Sequence, residues 1–205
     1  MPVTVDIKKS EVRIYGVIGD PEWGMIGAEE FMAALDAAKA AGKWEYPLDL
    51  GMAWTGEWYP YAFSPFLQSF GGDIVDRSTY KTAEGALNGD AAIAFGNWWQ
   101  GLFTGGYAQA TQDPADRDGG FAAGKYAFSW NGNWAALNAL AAFDDVVFLP
   151  APDFGNGSTI GAASWQFGVS ATSEHADLRA DGRPHGVRAD PSLPCALAAV
   201  LTSPD

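Results

Sequence analysis

The residues of this sequence whose types and spacing could do chemistry are carboxylates set among aromatic rings. Glu57 lies in the run Trp54-Thr55-Gly56-Glu57-Trp58-Tyr59, and Asp73 and Asp76 follow an aromatic stretch that ends at Phe70-Gly71-Gly72. Two carboxyl groups flanking a glycosidic bond are the machinery of sugar hydrolysis, one as acid and the other as base or nucleophile. Asp73, however, follows a helix-stopping Gly-Gly pair, where a carboxylate commonly accepts turn hydrogen bonds instead. The rings have a use of their own. Nine Trp, seven Tyr and twelve Phe in a chain of formal charge −13 exceed what core filling asks for. A flat indole face suits the apolar face of a sugar.

Other chemistries find no footing. A Ser-His-Asp or Cys-His system needs a base, and the two histidines, His175 and His185, lie in or beside a C-terminal stretch of different composition. No HExxH, paired-Cys or Gly-x-x-x-x-Gly-Lys-Ser/Thr pattern occurs, and Gly155-Asn156-Gly157 lacks the strand-then-helix setting of a dinucleotide loop. Asp113, Asp116 and Asp118 before Gly119 are offset wrongly for a calcium loop, and no closing Glu follows. The acidic balance argues against nucleic acid, which is held by clustered Lys and Arg. The single cysteine, Cys195, forms no internal disulfide framework. No run reaches the roughly 20 apolar residues of a membrane helix, and Met1-Pro2-Val3-Thr4 shows no basic region followed by an apolar run, so no export signal is expected here. Neither a metal nor a cofactor is expected.

Several elements must position the rings. Val3, Val5 and Ile7, then Val12, Ile14 and Val17, predict one or two N-terminal strands. From Gly27 to Gly42 the pattern predicts an amphipathic helix: Glu29 and Glu30 in the first turn, Phe31, Leu35 and Ala38 as the stripe, Lys39 in the last turn and Gly42 as the stop. Alternation of Leu48, Leu50 and Met52 with Asp49 and Gly51 predicts a strand that delivers the Trp54–Trp58 loop. Pro60 as a first helical residue, with Phe63, Phe66, Leu67 and Phe70, predicts the next helix, and Asp90 to Phe103 another that carries Trp98 and Trp99 as packing residues. After a polar connection from Asp113 to Gly120, Tyr126, Phe128 and Trp130 alternate as a strand ending in Asn131-Gly132-Asn133-Trp134, with a helix from Ala135 to Phe143. Val146 to Leu149 and Gln166 to Ser170 read as further strands, joined through a Gly-rich turn at Gly155 to Gly161. Strands alternating with helices indicate an α/β fold with ligand sites outside strand ends.

The composition changes near the end. Every aromatic residue lies at or before Phe167, whereas both histidines, three of the twelve basic residues and the cysteine follow Ser173. Residues 178–205 keep neither a helical nor a strand period, so this tail is expected to be poorly ordered, or the product of an out-of-frame reading of a GC-rich gene.

Four blocks carry a resemblance. They are Glu29-Glu30-Phe31-Met32-Ala33-Ala34-Leu35 with its Ala40-Ala41-Gly42-Lys43 ending; Phe66-Leu67-Gln68-Ser69-Phe70-Gly71-Gly72-Asp73; Phe121-Ala122-Ala123-Gly124-Lys125-Tyr126-Ala127-Phe128 through Asn131-Gly132-Asn133-Trp134; and Leu149-Pro150-Ala151-Pro152 followed by Gly161 to Ser170. The third is similar to an F-x-x-G-K-x-A-M-x-x-x-G-x-W signature. Together they resemble extracellular solute-binding protein family 1, the sugar-binding components of ABC importers that include the maltodextrin-binding proteins.

The resemblance implies a periplasmic-binding-protein-like type II fold, here incomplete: a divergent segment 1–26, a solute-binding lobe with crossover strands over 27–177, mostly the family's second lobe, and the tail 178–205. It implies a periplasmic or cell-surface monomer that binds a sugar or oligosaccharide without catalysis and docks on the ABC permease transmembrane subunits. By position, Trp134 resembles the family's sugar-stacking tryptophan, and Tyr61 matches a cleft-facing aromatic. Trp58, Tyr59 and Glu57 share the loop and are candidates for a second stacking plane and a hydroxyl acceptor, with Trp165 as a further ring. Packing of Trp134 against the next helix, a carboxylate-pair hydrolase, and a truncated remnant without function are the alternatives.

Overall fold

The computed structural model describes residues 4–8, 11–15, 26–117, 119–161 and 198–201. The chain divides into two units, residues 1–161 with 196–205, and residues 162–195, and the second lies wholly outside the described residues. Trp165 and the strand expected at Gln166 to Ser170 therefore lie outside them as well.

The N-terminal alternation forms a hairpin of β1, Thr4–Lys8, and β2, Glu11–Tyr15, with Val5 opposite Ile14 and Ile7 opposite Val12. Helix α1, Ala28–Ala41, buries Phe31, Ala34, Leu35 and Ala38 along one stripe. Gly42 ends it in the left-handed conformation at φ 67°, its N–H donating to the Lys39 carbonyl.

Strand β3 is only Leu48–Asp49, shorter than the alternation to Met52 predicts. Gly51 turns to φ 63°, a conformation outside the strand range, so the ladder cannot continue through it. Helix α2, Trp58–Ser69, begins two residues before Pro60, which still occupies the first turn, where its missing N–H has no helical partner to lose. Helix α3, Asp90–Thr104, lays Phe95, Trp98, Trp99 and Phe103 against the core. Strand β4, Phe128–Asn131, is buried at both Phe128 and Trp130 and at Ser129 between them, so its two faces are covered and no polar face exists. Helix α4, Ala136–Ala142, follows a short 3-10 turn, Asn133–Ala135, that replaces the expected helix start. Strand β5 is Val147–Leu149.

A four-stranded sheet runs β3-β4-β6-β5, where β6 is Ala198–Leu201, four residues of the segment 178–205 for which no element was expected. β3 and β4 are parallel, with Leu48 beside Phe128 and Asp49 beside Ser129, and the other pairs are antiparallel. The described residues thus form a mixed α/β unit. Leu35, Leu48, Leu102, Phe128 and Trp130 are at its centre. No helix among the described residues is long and apolar enough to cross a membrane.

Candidate functional site

The aromatic loop between β3 and α2 closes on its own backbone. A side chain at Gly51 would sit 3.0 Å from the Trp58 ring and 3.1 Å from that of Trp54, so only a bare backbone lets both indoles lie there. Trp58 is 4% exposed, and its indole N–H donates to the Leu50 carbonyl at 3.2 Å. Trp54 donates to the Arg117 carbonyl at 3.2 Å, and the Arg117 guanidinium lies over its ring at 4.7 Å.

One turn along α2 from Trp58, Tyr61 brings its ring to 6.1 Å from the Trp58 ring. The chain beyond β4 supplies the third ring. Trp134 stacks on Tyr61 at 6.0 Å and 30° and meets Trp58 edge-on at 6.3 Å. Two glycines seat these rings. A Cβ on Gly132 would fall 2.2 Å from the Trp134 ring, and one on Gly161 would fall 2.9 Å from the Tyr61 ring. Trp134 nevertheless remains 54% exposed.

Tyr61, Trp58 and Trp134 therefore come together from two strand-to-helix junctions. Their roles divide by burial: Trp58 is the floor, its N–H spent on the backbone, and Trp134 is the ring open to solvent. Tyr59, 40% exposed, turns toward Phe63 at 5.7 Å. Glu57 is exposed just before α2, where its carbonyl accepts the Tyr61 N–H at 3.0 Å.

The other acids of the sequence analysis have structural partners. Asp73 accepts from Arg77 at 2.6 and 3.0 Å, and this guanidinium holds its carboxyl below the usual range. Asp76 accepts from the hydroxyls and amides of Thr79 and Ser78, which pull it down to about 2. A general acid needs the opposite shift. Asp113 accepts from the Ala115 amide, and Asp116 pairs with Lys125.

Sequence reasoning missed a buried polar group beneath the aromatic loop. Asp49, 4% exposed, accepts from the Gly51 amide at 2.9 Å, the Gln112 side-chain amide at 3.0 Å and the Ser129 hydroxyl at 3.1 Å. Gln112 also donates to the Tyr126 hydroxyl at 3.0 Å and accepts from the Ala53 amide at 3.1 Å. Burial pushes the Asp49 carboxyl upward, with these donors opposing and the negative Asp116 adding to the rise. The one signal in the sequence was an acid between Leu48 and Leu50 in an otherwise apolar run.

No family model matches the chain, and no curated protein matches it.

Proposed function

We propose that the chain captures a neutral sugar or oligosaccharide as the binding component of an ABC importer, outside the cytoplasmic membrane and without breaking bonds. One observation carries this reading: aromatic rings from two separate junctions meet, and the outermost, Trp134, stays half open on a firm aromatic base. The importer and its permease enter through the resemblance of the Phe121–Trp134 block, and the net charge of −13 favours an uncharged ligand over an anionic one.

The spacing decides how a sugar sits. A pyranose held between two rings needs roughly 7–8 Å between them, two contact distances of about 3.5–4 Å. Tyr61 and Trp134 stand 6.0 Å apart and already touch, so the sugar lies on the outer face of Trp134 alone. Hydroxyl groups then need polar partners, for which the exposed Glu57 carboxylate, on the loop that carries Trp58, is the candidate acceptor.

Titration of glucosides, galactosides and maltodextrins to tens of millimolar, followed by tryptophan fluorescence, tests this. Wild type gives saturable quenching with at least one sugar and releases no reducing ends, and Trp134→Ala weakens it about fifteenfold. Absence of saturation with every sugar, or release of reducing ends, refutes the reading.

A further inference from the structure

Backbone bookkeeping in the aromatic loop leads to one more residue. The amides of Gly51, Ala53 and Trp54 have no ladder or helix to join, yet each is satisfied: Gly51 by the Asp49 carboxylate, Ala53 by the Gln112 side chain, and Trp54 by the Gly51 carbonyl at 2.9 Å. Gln112 in turn is anchored to Asp49, and Asp49 to Ser129 on the neighbouring strand. One buried carboxylate therefore holds, directly or through Gln112, two of the three amides that set the path of the loop. That path places Leu50, whose carbonyl holds the Trp58 indole, and Gly51, on whose bare backbone Trp54 and Trp58 rest.

We propose that Asp49 is a positioning residue for the sugar shelf: through the Gly51 amide and Gln112 it fixes the loop that seats Trp58, and through Trp58 the placement of Trp134. This rests on the sugar-binding reading for its consequence, but not for its geometry. Asp49 meets no ligand itself, being 4% exposed under the loop. A buried carboxylate is a poor source of stability, since desolvation cancels much of what its hydrogen bonds return. What it supplies is direction, because its two oxygens accept three donors from three different segments.

Fluorine NMR of fluorotryptophan-labelled protein, together with the sugar titration, tests the proposal. In Asp49→Leu and Gln112→Leu the Trp54, Trp58 and Trp134 signals move while those of Trp44 and Trp98 stay, and sugar affinity falls on the order of tenfold. Asp49→Asn, which keeps an acceptor for the Gly51 amide, restores most of the wild-type spectrum and affinity. Should the leucine variants fail to fold, Ser129→Ala and Asp49→Asn carry the same comparison with smaller shifts. Unmoved loop signals in a folded variant overturn the proposal, as does unchanged affinity where Trp134→Ala has lost it. If wild type binds no sugar, the sugar reading falls by itself, and the fluorine spectra still decide for or against Asp49 as the residue that seats the rings.

Discussion

Gly132→Ala separates the seating of Trp134 from the stability of the fold. Gly132 has φ −80° and ψ 165°, an extended backbone that alanine adopts without strain. The added Cβ, however, would lie 2.2 Å from two carbons of the indole, so the ring must withdraw by about 1.5 Å to reach an ordinary contact. For stability two effects oppose each other. Replacing glycine restricts the unfolded chain by about 0.4–1 kcal/mol. Loosening the contacts with Tyr61 and Trp58 costs up to about 0.5–1.5 kcal/mol apiece, less for a ring that is 54% exposed. The net change stays within about 1 kcal/mol, a Tm shift of a few degrees. For binding nothing compensates. An indole of roughly 250 Å² that is 54% exposed offers about 65 Å² on one face, about 1.6 kcal/mol at 25 cal/mol per Å², or roughly fifteenfold in Kd. Calorimetric titration with the tightest sugar, beside a thermal melt, measures both. Affinity within about twofold of wild type at unchanged Tm would refute the reasoning.

Three further substitutions probe the support beneath the shelf. Trp58→Phe removes volume from the core and leaves the Leu50 carbonyl without its donor, so urea unfolding should show a loss of about 2–3 kcal/mol; a loss below about 0.5 kcal/mol contradicts its role as floor. Gly51→Ala combines a φ of 63° with a Cβ 3.0 Å from Trp58, and a destabilisation of about 1–3 kcal/mol with an altered near-ultraviolet tryptophan spectrum is expected. Asp49 makes stability depend on pH. Its carboxyl lies above the ordinary 3.8, so the folded chain holds that proton more tightly than the unfolded one. Its contribution is then greatest at low pH and declines as pH rises from about 3.8 through the raised folded value. The stability of wild type relative to Asp49→Asn should therefore fall as pH rises above about 3.8, and a constant or rising difference would be inconsistent with it.

How much of this was legible follows from where each signal sits in the chain. Helix α1 could be read because its stripe, first-turn acids and terminal glycine all lie within fifteen neighbouring residues. Strand β3 was overextended because apolar alternation does not register one backbone turn, and the turn at Gly51, whose amide donates to the Asp49 carboxylate, leaves the strand range. In β4 the rings alternate with small residues, and packing on both faces buries Ser129 as fully as Trp130. Tyr61 and Trp134 became candidates through the resemblance, by their positions relative to its blocks. Which ring would be floor and which would be open was not legible, since a tryptophan in a loop looks the same in either place. The Asp49 cluster was illegible for a plainer reason: its partners Gln112 and Ser129 lie 63 and 80 residues away.

A shelf with one open face also bounds the affinity it supports. Stacking on Trp134 supplies about 1.6 kcal/mol, and even millimolar binding needs about 4.1 kcal/mol. Hydrogen bonds to hydroxyls add about 1 kcal/mol net apiece, so two or three of them beside the ring close the gap. Pre-organisation helps, because Trp58 is pinned to Leu50 and the glycines at 132 and 161 seat their rings before any ligand arrives, leaving little side-chain entropy to lose on binding. One stacking face together with two or three such hydrogen bonds would therefore hold a sugar in the millimolar range. Micromolar affinity would require about 4 kcal/mol more than that, which the single exposed face of Trp134 cannot supply, and would place a second wall against the other side of the sugar.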